Sequence, residues 1–281
     1  SGLGTNYSTP TKVGVLGVGL GVAIDHSGPL TTSKPDPKDF QGAGGQMGFM
    51  LGLNGNTLLP RPFAGIDLDK LRLYFLYLKQ EITENEINIH YDTYGFTAQY
   101  RWLDPAALGF GFLSWNGLES SIGFKQSRLK FIYTNNFNES STENISVLNQ
   151  NVSTTVGFRG PLSVGGDFQL LTVPIELSTS LRLFYVLNLF GGFGADFVAG
   201  YAKSIASVTG EVEVTSTNNL LGDVGASADL DMGSDASPKF MGQKTFLGLE
   251  LQAGIFSVFV QATKRLSSNI TGATAGMKLY W

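Results

Sequence analysis

His26 and His90 are the only imidazoles in the chain, and imidazole is the side chain that exchanges protons near neutral pH. His26 directly follows Asp25, and His90 stands two positions before Asp92. In an extended segment that second spacing puts both groups on one face. A histidine hydrolase also needs an activated nucleophile, and no G-x-S-x-G motif occurs. We therefore read both as loop or rim histidines, name no catalytic residue and expect no enzymatic activity. Asp229, Asp231 and Asp235 form D-x-D-x-G-x-D around Gly233. Hard oxygen ligands at alternate positions suit calcium, but EF-hand spacing and its closing bidentate Glu are missing. They amount to a weak calcium candidate in a solvated acidic loop, and no other cofactor is indicated. Gly17, Gly19 and Gly21 share one face of an extended segment, so they are not a phosphate loop. Five N-x-S/T triplets, at Asn6, Asn138, Asn144, Asn151 and Asn269, read as polar loop sequence.

Any such side chains need elements to hold them, and composition narrows the choice. Only 15% of the residues are charged, against about 25% in ordinary soluble domains. Fewer charges than a fully hydrated surface demands, with 36 glycines and abundant aromatics, suit a chain exposing much of its surface to something other than water. A net charge of −4 with no basic patch argues against nucleic acid. The absence of cysteine excludes disulfides and thiolate metal sites. No run of about 18 uncharged apolar residues exists, so an ordinary transmembrane helix is excluded. No Pro/Gly/Ser linker divides the 281 residues, which read as one domain. The first residue is Ser1 and not Met, as expected of a processed signal peptide or equally of an expression scar.

Alternation with period two recurs ten times. It covers residues 12–24, 46–54, 70–77, 93–102, 118–125, 172–182, 192–201, 247–252, 257–265 and 270–281. In the last of these Ala273, Ala275, Met277, Leu279 and Trp281 share one face, while Gly272, Thr274, Gly276, Lys278 and Tyr280 share the other. Tyr100 and Trp102 end the fourth segment as an interfacial aromatic girdle would. After the fifth, Leu129, Phe131 and Tyr133 take the opposite parity, which requires a β-bulge near Ser127 or a strand that has left the bilayer. Long polar inserts, read as outer loops, are expected near 25–40, 135–169 and 203–243.

A terminal alternating strand closing on an aromatic resembles the last strand of bacterial single-chain outer-membrane β-barrels. The resemblance implies a transmembrane antiparallel up-and-down barrel of about ten strands, all-β, as one domain over 1–281. It further implies contact with outer-membrane lipid and lipopolysaccharide, insertion by the barrel-assembly machinery, and an extracellular partner reached through the loops. The competing fold is a soluble sandwich or lipocalin-like barrel, whose apolar residues point inward; sparse charge, abundant glycine and the long loops favour the membrane barrel.

With the apolar register outside, the inner register supplies the lumen. Lys70, Arg72, Arg101, Lys125, Arg182 and Lys278 face Glu119, Glu176, Asp196 and Glu250 there. Charges in a confined, poorly hydrated space persist when paired, and about ten strands lie nearer the filled limit than the open porins. The inward glycines of the first, second and seventh segments would leave a slot beside the charges. Two functions are compatible: a narrow pore passing small solutes, or a surface barrel that binds a partner or stabilises the envelope without transport.

Overall fold

Each alternating segment has one apolar and one polar face, so it is stable only where the two faces meet unlike surroundings. The computed structural model describes residues 13–26, 40–58, 66–84, 86–108, 112–147, 150–216 and 224–281. Among them lie β1 (Gly14–His26), β2 (Phe40–Asn54), β3 (Leu71–Glu84), β4 (Ile87–Leu103) and the two-residue β5 (Ala106–Ala107). Then follow β6 (Leu113–Val147), β7 (Gln150–Leu183), β8 (Leu187–Ser216), β9 (Val224–Ala236), β10 (Met241–Ala253), β11 (Phe256–Arg265) and β12 (Ile270–Tyr280).

Antiparallel pairing joins β1, β2, β3, β4, β6, β7, β8, β10, β11 and β12 in that order, and β12 returns to β1 from Val15↔Tyr280 to Asp25↔Ile270. The ring strands are the ten alternating segments of the sequence. The described strands number twelve because β5 lies beside β6 and β9 runs along the upper part of β8. Gly14 and Trp281 complete the closure with backbone hydrogen bonds of 3.1 and 3.2 Å, Gly14 N donating to Trp281 O and Trp281 N to Gly14 O. A Cβ on Gly14 would stand 2.6 Å from the Trp281 ring, so a larger residue there must displace that ring.

The ring is greasy outside and polar inside. On β10, Leu247, Leu249 and Leu251 are exposed while Gly248, Glu250 and Gln252 are buried; on β7, Ile175, Leu177 and Thr179 alternate with buried Glu176, Ser178 and Ser180. A ring closed through its apolar band leaves no unpaired edge there, so it can cross hydrocarbon, and an even count of antiparallel strands with an apolar outer band is the architecture of bacterial outer-membrane barrels. The protein is an outer-membrane β-barrel. No helix of the described residues is long and apolar enough to cross a membrane. Tyr100 and Trp102 pack edge to face at 5.0 Å on the side carrying the termini, and Phe112 stacks on Phe184 at 5.8 Å beside them.

Two of the expected outer loops are strand. Residues 135–147 of β6 pair with 150–162 of β7 without interruption, and β8 pairs with β9 from Ala202↔Ala236 to Val214↔Val224. The four strands form a tall crown above one side of the ring. Their alternation, as in Glu211-Val212-Glu213-Val214, is regular, but both faces carry polar residues and so the hydrophobic contrast is weak. Of the third expected loop, 27–39 lies outside the described residues, as do the side chains of Asp25 and His26.

No bulge occurs near Ser127: β4 and β6 stay in register from Arg101↔Glu119 to Ile87↔Tyr133. The parity of the apolar residues changes because the surroundings change. Outward positions turn from apolar to charged at one height, where Lys79, Asp92 and Arg128 lie opposite one another, directly above the paired Tyr77, Tyr94 and Gln126. One step higher, Glu81, His90, Lys130, Asp167, Lys203 and Asp235 form a row of nearly alternating sign across six strands. The face continuous with the lumen turns apolar in exchange, and there Phe131 stacks on Phe168 at 6.2 Å. At Gly200, φ is +144° and a Cβ would lie 2.0 Å from Gln169 O, so only glycine fits where β8 leaves β10 for β9.

Candidate functional site in the lumen

Strand register dictates which inward side chains can meet. Arg101 lies opposite Glu119, and Arg72 opposite Gln99. Glu119 Oε1 accepts from Arg101 Nε at 3.0 Å and Nη2 at 2.7 Å, and Arg72 Nη2 stands 3.3 Å away. Gln99 Nε2 donates to Glu119 Oε2 at 2.8 Å and its Oε1 accepts from Tyr74 OH at 3.0 Å. All five are buried. Across the lumen, Glu250 accepts from Lys278 Nζ at 2.9 Å and from Tyr280 OH at 2.6 Å, and Lys278 sits 4.6 Å from the Phe259 ring centre. Near the turns, Asn116 Nδ2 donates to Ser180 Oγ at 2.9 Å, and Arg182 Nε to Asn188 Oδ1 at 3.1 Å.

These networks fill the half of the lumen beside the turns and termini. Aromatic rings occupy the space that several inward glycines leave: Tyr74 over Gly52, Phe246 over Gly192, Phe190 over Gly248 and Phe259 over Gly276. Gly17 is covered by Met50. The expected slot is therefore absent along that half of the wall, since neighbouring strands supply the filler that the glycines lack.

A third network lies higher. Lys244 Nζ stands 2.7 Å from both Glu176 and Asp196. Gly194 lies between Glu176 and Lys244 in the register, and a Cβ there would come within 2.9 Å of Glu176 Cγ and 3.2 Å of Lys244 Cε. Above this triad a cavity of about 350 Å³ runs along the glycine wall, lined by Gly21, Gly45, Gly272, Asp196, Lys244 and Arg265 among others. Asp196 and Arg265 also line an adjoining cavity of about 260 Å³, with Lys125, Lys239, Leu170 and Val198. The glycine side thus does hold open space, at Gly21 and not at Gly17.

Of the ten lumen candidates, Arg72, Arg101, Glu119, Glu176, Glu250 and Lys278 are buried in the networks, Arg182 is half-buried beside Asn188, and Lys125 and Asp196 line the cavities. Lys70 is elsewhere. It ends a 3-10 helix, Leu68–Lys70, ahead of β3, where Asp104 accepts from its Nζ at 2.8 Å and holds the ammonium above its usual range. Sequence reasoning placed it in β3 by extending the alternation one residue too far. Lys244 is not among the sequence candidates because the polar insert runs up to it before the alternation becomes clear; its signal is the even parity it shares with Glu250 on β10. Asp229, Asp231 and Asp235 are exposed along one strand. At about 3.3 Å per residue the outer two lie roughly 20 Å apart, so the three carboxylates do not converge on one point, and no cluster of three or more Asp, Glu or His side chains placed to hold a metal ion occurs among the described residues. His90 Nε2 and Asp92 Oδ1 meet at 3.4 Å on the outer face of β4, as the spacing predicted.

Comparison with known proteins adds a family. A family model described as Lsa36-like matches residues 1–281, and the chain belongs to that family. No curated protein matches. Among solved structures, the chain is similar to the translocator domain of the autotransporter NalP from Neisseria meningitidis, at 8% identity over 100% of this chain and 91% of that one, TM-score 0.33. It is also similar to the toluene transporter TbuX from Ralstonia pickettii, at 8% identity over 96% and 90%, TM-score 0.29. LpxR from Salmonella typhimurium is similar at 11% identity over 94% and 100%, TM-score 0.29.

Proposed function

Starting from this Lsa36-like barrel, we propose that the chain is a narrow, selective passage for small molecules, closed at its turn end until the ion-pair networks move. The observation that carries the reading is the uneven lumen, packed around Glu119 and Glu250 yet open along the glycine wall above Lys244. Breaking such a network leaves buried charge exposed to its own desolvation cost, so the closed form is favoured and opening is coupled to something that replaces the lost partners. Planar-bilayer recordings test it. Little or no steady current is expected from the native barrel, and a stable current after Arg72→Ser, Arg101→Ser and Glu119→Ser together. A native conductance typical of large general porins would overturn it.

A second reading, a surface barrel that binds a partner without transport, is favoured by the crown. Its strands enclose a polar concavity of about 930 Å³ lined by Asn138, Ser140, Arg159, Glu211, Glu213 and Ser227. Replacing residues 136–160 by a short turn separates the two: small-molecule flux survives under the first reading, and only partner binding is lost under the second. Either way the outer band lies against outer-membrane lipid and lipopolysaccharide, and insertion proceeds through the assembly machinery.

A further inference from the structure

The wall of the ring is not equally zipped all round. β1 and β2 are joined by thirteen residue pairs and β3 and β4 by fourteen. β2 and β3 are joined by six, from Asn54↔Arg72 to Phe49↔Tyr77. Both strands continue beyond that point, β2 to Phe40 held by β1 and β3 to Glu84 held by β4, without pairing to each other among the described residues. The seam opens at the outer edge of the apolar band, flanked by outward Phe49 and Tyr77, which are half-exposed or more.

Behind the seam lies the 350 Å³ cavity. Gly45 of β2 and Tyr91 of β4 both line it, whereas none of its described lining belongs to β3, the strand between them. Its volume is near the small end of ligand pockets, about 300–1,000 Å³. Ala23, Ile270 and Tyr91 give it apolar surface; Arg265 and Lys244 give it positive charge. Over the two joined cavities, Lys125, Lys239, Lys244 and Arg265 outnumber Asp196 and the Glu176 behind it. Arg265 makes no ion pair among the described residues; its guanidinium lies over Gly242, where a Cβ would come within 2.9 Å of Nε. Positive groups at the end of an apolar chamber opening sideways toward lipid match one ligand chemistry.

We propose that this cavity binds a single-chain amphiphile with one anionic head, carboxylate or phosphate, which enters from the outer leaflet through the seam between β2 and β3. The head meets Arg265 and Lys244, and the chain lies along Ala23 and Ile270 toward the seam. This deepens the proposed passage function and rests on it only for what happens after binding, because occupancy of the cavity requires no opening of the turn-end networks.

The test uses the full barrel in lipid vesicles with dodecanoate and dodecyl phosphate, each carrying a chain diazirine, and dodecanol carrying the same group. After illumination, label on Ala23, Tyr91 or residues 270–274 from either anion, with little from the alcohol, supports the proposal. Arg265→Gln should lower that labelling by at least about tenfold, the loss of a charge-assisted contact. Since the chain has no cysteine, Gly48→Cys with Leu78→Cys offers a single disulfide at the first unpaired step of the seam; oxidation should abolish labelling and reduction restore it. Should that pair fail to assemble, Gly45→Trp narrows the same opening and should weaken labelling likewise. Label confined to lipid-facing Leu20 or Leu247, equal label from the alcohol, or labelling unchanged by a seam disulfide that has formed would overturn the proposal. Small-molecule flux in the same vesicles reads the passage function separately.

Discussion

Glu250→Leu is the sharpest test of how the lumen is held together. Glu250 is completely buried and accepts hydrogen bonds from Lys278 and Tyr280, and Lys278 itself is 2% exposed in its side chain. Leucine removes the carboxylate and leaves an ammonium in a site already stripped of water, where solvent barely screens the unpaired charge. Removing one partner of a buried ion pair costs about 3–5 kcal/mol, a roughly hundred- to several-thousand-fold change in the folding equilibrium. The Phe259 ring offsets part of that, about 1–2 kcal/mol for a desolvated cation over an aromatic face. Adding Lys278→Met replaces the orphaned charge by an apolar chain of similar length and should recover most of the loss. Urea unfolding in detergent, read by tryptophan fluorescence and by heat-dependent mobility on gels, measures both variants against the native barrel. The reasoning is refuted if Glu250→Leu costs under about 1 kcal/mol, or if the double variant is no more stable than the single one.

Leu177→Arg, exposed on the lipid face, should destabilise by ~2–4 kcal/mol near the midplane, while Ser178→Arg, on the inner face, should show a different cost; equal effects on unfolding midpoints would reverse the assigned facing. Gly14→Val should hinder closure by colliding with Trp281, seen as loss of the heat-resistant folded band, and Trp281→Gly in the same chain should relieve it. Gly200→Ala should cost at least about 1–3 kcal/mol, because its backbone lies in a glycine-only region and a Cβ meets Gln169 O; a cost indistinguishable from zero would show that the bend is not fixed.

The ring was legible because each spanning strand obeys one rule, apolar toward lipid and polar toward the lumen, and sequence carries that rule directly. Leu247, Leu249 and Leu251 against Glu250 and Gln252 needed no structure to be sorted. The crown was not legible, because outside hydrocarbon the rule lapses: Lys130 and Asp167 face outward where Phe124 and Leu171 did, and the weak contrast of residues 135–169 looked like loop. Inner charges could be grouped by sign and parity but not partnered, since partnership depends on register between strands. Glu119 meets Arg101 and Arg72, and not Lys125 on its own strand, because β4 and β3 bring the two arginines alongside. The glycine slot was half seen. Sequence shows which positions lack a side chain, whereas Phe190 filling the space over Gly248 is a cross-strand fact.

The short β2–β3 seam also bears on the order in which the barrel forms. β7 and β8 are joined through only three residues, Phe184 to Val186, whereas β1 and β12 meet across nearly the whole chain. Loop closure over so many more residues costs about 4 kcal/mol more by the logarithmic rule, so neighbouring hairpins form early and the β1–β12 contact forms late. Only six pairs bind β2 to β3, so a nascent sheet divides most easily there, into one sheet from β3 to β12 and the lone β1–β2 hairpin. That hairpin must then dock by both of its edges, against β12 and against β3. Until it does, the exposed edges of β3 and β12 are templates for pairing with another chain, and the hairpin that completes the barrel is also the one whose delay would make it aggregate.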